Sequence, residues 1–358
     1  MLQDRRVMKL SALWLFFNTG CDDVDWPEPQ YVSSLRVLGV QANPPTLTPG
    51  ASTQLSIHCV DGAKEANTTT ACDVDVAWFA RCNNPKDNDP DHCIGGYKQL
   101  SNHLASRIAE TQAVDYPDGF GFGPYFNFTA PDDVLREGFE AAGSVVKYGT
   151  SYVFFAICAG QLVTVRNVSD RLPVECRDRK TGKPLDQKRF VVGVTTVYSY
   201  DRITNRNPVL SAPRFDNVEI PSRCSIDAKC PTGFECSTGN RCLPVVQSCM
   251  KENSADCKEH CLNFELGIDS YSLFSINGDR LEAPKKSLWL TYLTNAGNLP
   301  DDEASFALHA PPDGATVKRT PCIRWRPPRT PTEEAHLWAV VRDTRGGFAT
   351  WDQRIIVR

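Results

Sequence analysis

The chain has 358 residues, of which 41% are hydrophobic and 23% charged, and its formal net charge is −4 at pH 7. This composition supports buried cores and excludes a disordered chain, and the 39 Lys and Arg residues are scattered, which argues against nucleic acid as a partner. The 23 glycines and 25 prolines separate short β-branched and aromatic runs, a pattern that predicts a mainly β protein with many turns.

Residues 1–20 have the pattern of an export signal. Basic residues at positions 5, 6 and 9 precede the apolar run LSALWLFF, which is shorter than the roughly 20 residues of a membrane-spanning helix. The small pair Thr19 and Gly20 before Cys21 resembles the lipobox of bacterial lipoproteins. The resemblance implies a lipid on Cys21, export to the bacterial outer membrane or cell surface, and an acidic tether over residues 21–33. The alternative is an ordinary secretory signal followed by a structural cysteine.

The number of cysteines agrees with a lipid on Cys21. An exported chain with 15 cysteines leaves one thiol unpaired, and setting Cys21 aside leaves 14, enough for disulfides throughout. Such a density is typical of an oxidising compartment. Six of the candidates precede residue 200 and eight follow it, as two separately bridged halves require. The disulfide candidates are Cys59, Cys72, Cys82, Cys93, Cys158, Cys176, Cys224, Cys230, Cys236, Cys242, Cys249, Cys257, Cys261 and Cys322.

Residues 34–204 predict a first antiparallel β-sandwich, because short runs of alternating apolar and polar residues follow one another between turn signals. The order Cys59, Trp78, Cys158 resembles the immunoglobulin arrangement. That resemblance implies a Cys59–Cys158 bridge between the two sheets, with Trp78 packed on it. Cys158 could instead pair with Cys82, and Cys82 could pair with Cys93, so the connectivity stays open.

Residues 205–358 predict a second sandwich that is interrupted by a cysteine-rich insert at 222–262. Four cysteines from Cys224 to Cys242 are each separated by five residues, in a stretch with too little apolar content for a core, so disulfides must hold it. The stretch loosely resembles the small EGF-like inserts of secreted proteins. Zinc is the alternative, but its cysteine ligand pairs are usually separated by about two to four residues.

Further strand patterns follow the insert. AHLWAVVRD and FATWDQRIIVR flank the turn TRGG, which predicts a hairpin. The order FTAP, SYVFFAIC, RFVVGV in the first half is echoed by RWRPP, AHLWAVV, QRIIV in the second, which predicts a duplicated sandwich. WRPP followed by LWAVVRDTRGG resembles the Ig-like or PKD-like modules of large bacterial exported proteins. The resemblance as a whole is to lipoproteins of the deltaproteobacterial or myxobacterial type. We therefore expect a mainly β fold of two Ig-like antiparallel sandwiches.

A search for chemistry finds no GxSxG, HExxH or SxxK motif, and the six histidines show no metal spacing. We therefore predict no cofactor, no metal and no enzymatic activity. The alternating Asp87, Asp89 and Asp91 resemble hard-cation ligands, so calcium is the alternative to a solvated loop there.

The aromatic residues of GFGFGPYFNF, at 119–128, are either one buried side of a strand or a face for carbohydrate or protein. The sequence thus predicts a non-catalytic, lipid-anchored envelope protein whose Ig-like domains contact an envelope or extracellular protein or give structural support. A carbohydrate-binding accessory module is the alternative function, and a cell-surface hydrolase is the third hypothesis.

Overall fold

The structure is a computed structural model that describes residues 30–62, 72–85, 119–136, 138–140, 147–165, 174–221, 223–225, 229–249, 257–275, 277–280, 287–300, 305–309 and 316–358. Within these ranges the regular structure is β-strand, apart from two short 3-10 turns. The predicted mainly β class is confirmed. No helix of the described residues is both long enough and apolar enough to cross a membrane.

The described residues of the first half form twelve strands. They are β1 Leu35–Asn43, β2 Thr46–Leu47, β3 Ser52–Asp61, β4 Asp75–Asn83, β5 Phe120–Phe122, β6 Tyr125–Thr129, β7 Phe139–Glu140, β8 Lys147–Cys158, β9 Gln161–Thr164, β10 Val174–Arg177, β11 Phe190–Tyr200 and β12 Ile203–Thr204.

Two of the first-half sheets face each other. One has the order β1-β3-β6, and the other has the order β2-β11-β8-β4-β5 with β7 on β8. Side chains of both sheets meet in one core, where Trp78 is fully buried. The Trp78 ring packs against Phe126 at 5.7 Å and Phe155 at 6.0 Å between centroids. The predicted sandwich and the buried position of Trp78 are therefore observed.

Twelve further strands lie in the described part of the second half. They are β13 Leu210–Phe215, β14 Val218–Glu219, β15 Phe234–Cys236, β16 Cys242–Val246, β17 His260–Gly267, β18 Phe274–Ser275, β19 Leu288–Thr294, β20 Ser305–Leu308, β21 Val317–Arg319, β22 Ile323–Trp325, β23 Thr332–Asp343 and β24 Phe348–Val357. β17 is the centre of one sheet, with β13 on one side and β21 and β22 on the other, and β14 pairs with β13. The facing sheet has the order β15-β16-β24-β23-β19-β20.

The two halves have the same strand arrangement. The order β1-β3-β6 corresponds to β13-β17-β22, and β2-β11-β8-β4-β5 corresponds to β16-β24-β23-β19-β20. In both halves the first strand of the larger series pairs parallel with the next, β2 with β11 and β16 with β24. The sequence echo falls on equivalent strands: β6 and β22, β8 and β23, β11 and β24. This agreement supports the predicted duplication.

The disulfides correct the immunoglobulin-like pairing. Cys59 is bonded to Cys72, and Cys158 to Cys176, so the implied Cys59–Cys158 bridge is wrong, as is the alternative between Cys158 and Cys82. Each bond closes a short loop next to its own strand, because residue 59 lies at the end of β3 and residue 158 at the end of β8. Cys82 is disulfide-bonded as well, whereas Cys93 lies outside the described residues.

In the second half, disulfides hold the cysteine-rich stretch. Cys224–Cys236 and Cys230–Cys242 interleave, and the sulfur atoms of Cys224, Cys230 and Cys236 lie within 4.8 Å of one another. Sulfurs in disulfides are not thiolate ligands, so the zinc alternative is wrong for these residues. The remaining bonds are Cys249–Cys257 and Cys261–Cys322. Residues 260–262, the end of the predicted insert, form the start of β17 in the sandwich.

Candidate functional site

An open groove of about 440 Å³ lies between β1 and β11, where the two sheets of the first sandwich separate. Valine, glycine and threonine of β11 form one wall, Val37 and Val40 of β1 form the other, and the turn between β23 and β24 closes one end. Phe155 lies in the groove as part of the sandwich core. The site is thus an apolar cleft beside two strand edges.

The wall formed by β11 is an open sheet edge over most of its length. β11 pairs with β8 along all of its residues, but β2 pairs only with Tyr198 and Ser199 on the other side. The carbonyl of Arg189 points toward β8, because it accepts the backbone N–H of Ala159. Backbone groups of successive residues point to alternate sides of a strand. The N–H and C=O groups of Val192 and Val194 therefore point away from β8. No backbone group among the described residues pairs with these two.

The side chains of this edge carry no charge. Val192 and Val194 are 49% and 41% exposed, which is high for large apolar residues. Residues 190–200, FVVGVTTVYSY, contain no Lys, Arg, Asp or Glu, although charged residues are a common protection of edge strands. The edge therefore combines unpaired backbone groups with exposed apolar side chains.

A glycine in the middle of the edge keeps the groove open. A Cβ added to Gly193 would lie 2.4 Å from the Phe155 ring. Any larger residue there would push Phe155 out of the first core or fill the groove. Gly193 therefore allows the aromatic core to approach the sheet edge.

The turn that closes the groove is fixed by Asp343. Its carboxylate accepts the backbone N–H groups of Arg345 and Gly347, each at 2.7 Å, and the side-chain amide of Asn205 at 2.9 Å. Gly346 adopts a φ of +84°, a conformation that favours glycine, so the predicted TRGG hairpin is confirmed. Asp343 is occupied by these bonds, and Arg342 donates to the carbonyl of Leu38. These bonds hold the turn in place at the end of the groove, between the two halves.

The aromatic run at 119–128 forms mostly core. Phe120, Phe126 and Phe128 are buried, and only Tyr125 is widely exposed, at 61%. The exposed aromatic face that the carbohydrate alternative requires is therefore reduced to one large side chain in β5 and β6, which belong to different sheets. The prediction of an alternating strand with one buried side is confirmed for β6.

Other predicted site residues lie outside the described part of the chain. These are Cys21, the lipidation candidate, and Asp87, Asp89 and Asp91, the calcium alternative. Lipidation and the calcium alternative therefore stay predictions.

The described histidines occupy separate places. His58 contacts Gln41 and Thr350, and the exposed His309 offers its backbone carbonyl to Lys318. His336 is buried on β23 beside Trp338.

His260 belongs to a cluster that the sequence analysis missed. Its Nδ1 lies 2.9 Å from the Asp216 carboxylate, which also accepts Lys258 at 2.8 Å and the backbone N–H of Cys261 at 2.9 Å. Burial alone would raise the pKa of Asp216, but these bonds hold it well below its usual value. Asp216 has a φ of +51° in the DN turn between β13 and β14, a hairpin signal that could have located it. The cluster fixes this turn to the start of β17.

The open edge was also missed. The pattern of RFVVGVTTV predicts a strand, but an edge strand and a central strand of this composition look alike in sequence. The signal that could have suggested an edge is the central glycine.

Comparison with known proteins gives no family: no protein-family model matches the chain, and no curated protein matches its sequence. Among the solved structures that are similar to it, two share 9% sequence identity with the chain. One is the Salmonella alpha-2-macroglobulin reacted with methylamine, with a TM-score of 0.22 over 94% of this chain and 18% of that chain. The other is described as BspA_C_mut, with a TM-score of 0.20 over 87% of this chain and 93% of that chain. The chain thus spans under a fifth of the macroglobulin, and TM-scores this low establish no shared fold.

Proposed function

We propose that this chain is an exported, lipid-anchored, non-catalytic protein of the bacterial envelope that binds an extended, uncharged segment of a partner protein. The segment adds as a strand to the edge of β11. The observation that carries the proposal is the open, uncharged stretch of β11 beside an apolar groove. Strand addition uses main-chain hydrogen bonds for affinity and pockets for alternate side chains for specificity.

The geometry supports this mode of binding in two ways. A strand paired with the outward backbone groups of Val192 and Val194 would place alternate side chains in the groove, above Val191 and Gly193. The lining offers apolar surface for such side chains, and Asp343 is already bonded to its own turn. An uncharged β-branched or aromatic segment fits this lining best.

The proposal includes two Ig-like sandwiches and an EGF-like insert that present this site at the cell surface. The common strand order of the two halves and the interleaved disulfides of the insert support it. The lipid on Cys21 rests on the lipobox resemblance of the sequence.

The test is a selection of random 12-residue peptides, displayed on phage, against the chain from residue 22 onward, which retains every described residue. The decisive variant is Val194→Pro. It removes the outward N–H but no bond to β8, and an edge strand tolerates such a proline. We expect the selected peptides to bind Val194→Pro about tenfold more weakly, as the loss of one or more main-chain bonds implies.

The matched control is Val194→Thr, which keeps the N–H and the branched shape and should leave peptide affinity nearly unchanged. Peptides that bind both variants as well as the original chain would refute strand addition at β11, and so would a selection that enriches no peptide.

A further inference from the structure

The outer face of the second six-stranded sheet carries an exposed tryptophan. On β19, Leu288 and Leu290 are fully buried in the second core, whereas Trp289 between them points to the opposite face and is 52% exposed. Trp289 lies directly opposite Arg342 of β23 in the register of the sheet, so the two side chains are neighbours on that face. This face of the sheet therefore presents an exposed indole next to a guanidinium group.

A second arginine reaches this region from the first half. Arg342 donates to the backbone carbonyl of Leu38, and Arg36, two residues before Leu38 on β1, donates to the carbonyl of Tyr31 at 3.4 Å. Burial lowers the pKa of Arg342, and the charge of Arg36 is close enough to lower it further. The two halves thus bring two positive charges together.

Neither arginine is neutralised by a carboxylate of the described residues, and their bonds go to carbonyl oxygens instead. In contrast, Arg179, Arg326 and Arg358 each contact an acidic side chain. An unneutralised pair leaves a local positive field that attracts anions.

The path of the N-terminal segment leads to the same sheet. Val32 donates to the carbonyl of Thr294 at 2.7 Å, and Thr294 donates to the carbonyl of Gln30 at 2.9 Å, so the chain enters the fold along β19, the strand of Trp289. Cys21 precedes Gln30 by nine residues, which span at most roughly 30 Å when fully extended. A lipid on Cys21 would hold the bilayer within that distance of β19.

We infer that Trp289, Arg36 and Arg342 form a surface that contacts anionic phospholipid headgroups. This inference rests on the proposed lipid anchor, because the anchor determines which side of the molecule faces the membrane. Tryptophan is enriched at the headgroup level of membranes, where its ring faces the acyl chains and its N–H faces water. Arginine pairs with phosphate oxygens in a fork geometry, and basic residues near an anionic bilayer strengthen adsorption.

The test uses the unlipidated chain from residue 22 onward, so that any adsorption comes from the protein surface. Co-sedimentation is measured with vesicles of phosphatidylcholine that contain about 30% phosphatidylglycerol, and with pure phosphatidylcholine. We expect binding to the anionic vesicles only, weaker at high salt. Arg36→Gln with Arg342→Gln should lower the partition coefficient about 30-fold, because each basic residue contributes roughly fivefold. Trp289→Ala should lower it several-fold.

The matched controls are Arg136→Gln and Tyr125→Ala, which change an exposed arginine and an exposed tyrosine of the first sandwich. They should leave partitioning unchanged, and unaltered circular dichroism should confirm that every variant is folded. Absence of binding to anionic vesicles, or an equal loss in the controls, overturns the inference. A dimer in sedimentation velocity that Trp289→Ala dissolves also overturns it, because the surface would then contact a second copy.

The outcome is separable from the proposed function. Intact-mass analysis of the membrane fraction tests the lipid on Cys21 alone, and peptide binding at β11 tests strand addition alone. A lipidated protein that binds peptides but ignores anionic vesicles would leave the proposed function standing and the headgroup surface refuted.

Discussion

His336 illustrates how burial determines the charge of one side chain. It is 3% exposed, its ring stacks on Trp338 at 5.5 Å, and its Nε2 has no hydrogen-bond partner among the described residues. Burial lowers the pKa of His336 to about 4, and the positive charges of Arg354 and Arg241 act in the same direction. The imidazole is therefore neutral in the folded protein at neutral pH.

The low pKa predicts a pH-dependent stability. As pH falls below the ordinary value of about 6.5, the unfolded chain binds a proton at this histidine but the folded chain does not until pH 4, so stability decreases across that window. The full effect is about 3 kcal/mol. Urea unfolding at pH 7.5 and pH 4 should show His336→Phe losing correspondingly less stability than the original chain, and His309→Gln losing as much. An equal loss in His336→Phe would contradict the assignment.

At the scale of the strands, the hydrophobic pattern predicted where the chain forms sheet but not what covers each face. AHLWAVVRD is apolar almost throughout, because the strand that it forms, β23, is buried on both faces. Ala335 and Leu337 lie in the second core, while Trp338 and Val340 pack against Val32 and Leu38 of the first half. A sequence run that is buried on both faces looks like any other apolar strand, so the contact between the halves was not predictable from it.

Neither the disulfide pairing nor the candidate groove could be predicted from the sequence, for related reasons. The Cys59, Trp78, Cys158 order suggested a bridge between sheets, but the bonds are local, and spacing alone does not decide between such connectivities. The groove exists because β2 ends after two residues and leaves β11 uncovered. The length of a pairing partner is a tertiary property, whereas the TRGG turn is a local one and was predicted correctly.

The cysteine-rich stretch should depend on its disulfides more than the sandwich does. The described residues between 223 and 241 contain little buried apolar surface, whereas β16, which follows, is held by its pairing with β24. Cys224→Ser with Cys236→Ser opens a loop of 12-residue separation, and such loops are worth about 3 kcal/mol. We expect rapid tryptic cleavage after Lys229 and a melting temperature of the sandwiches within about 2 °C of the original.

Mass spectrometry of the fragments checks the site of cleavage, and Cys249→Ser with Cys257→Ser, in the same half, serves as the comparison because it should leave Lys229 protected. A large fall in the melting temperature would show instead that the insert and the sandwich unfold as one unit.

At the scale of the whole molecule, a polar junction connects the halves beside their shared apolar cluster. Asn205 bonds to both halves: its backbone N–H donates to the Thr46 hydroxyl in the first half at 2.8 Å, and its side-chain amide donates to Asp343 and to the Arg345 carbonyl in the second. Asn207 donates to the Ala42 carbonyl and accepts the N–H of Phe348. Directional bonds of this kind fix orientation, whereas apolar contacts alone resist separation but permit sliding.

The junction predicts that the two sandwiches unfold together. Asn205 is 4% exposed, so Asn205→Ala takes one donor from the Asp343 carboxylate and one from the Arg345 carbonyl in a part-buried place, at a cost of about 1 to 3 kcal/mol. Asn205→Ala weakens the contact between the halves but neither of the two cores. Differential scanning calorimetry should therefore resolve the single unfolding transition of the original chain into two. Asn127→Ala, at an exposed position on β6, should keep one transition. A uniform downward shift of one undivided transition in Asn205→Ala would mean that the apolar cluster of Val32, Leu38 and Trp338 couples the halves without the junction.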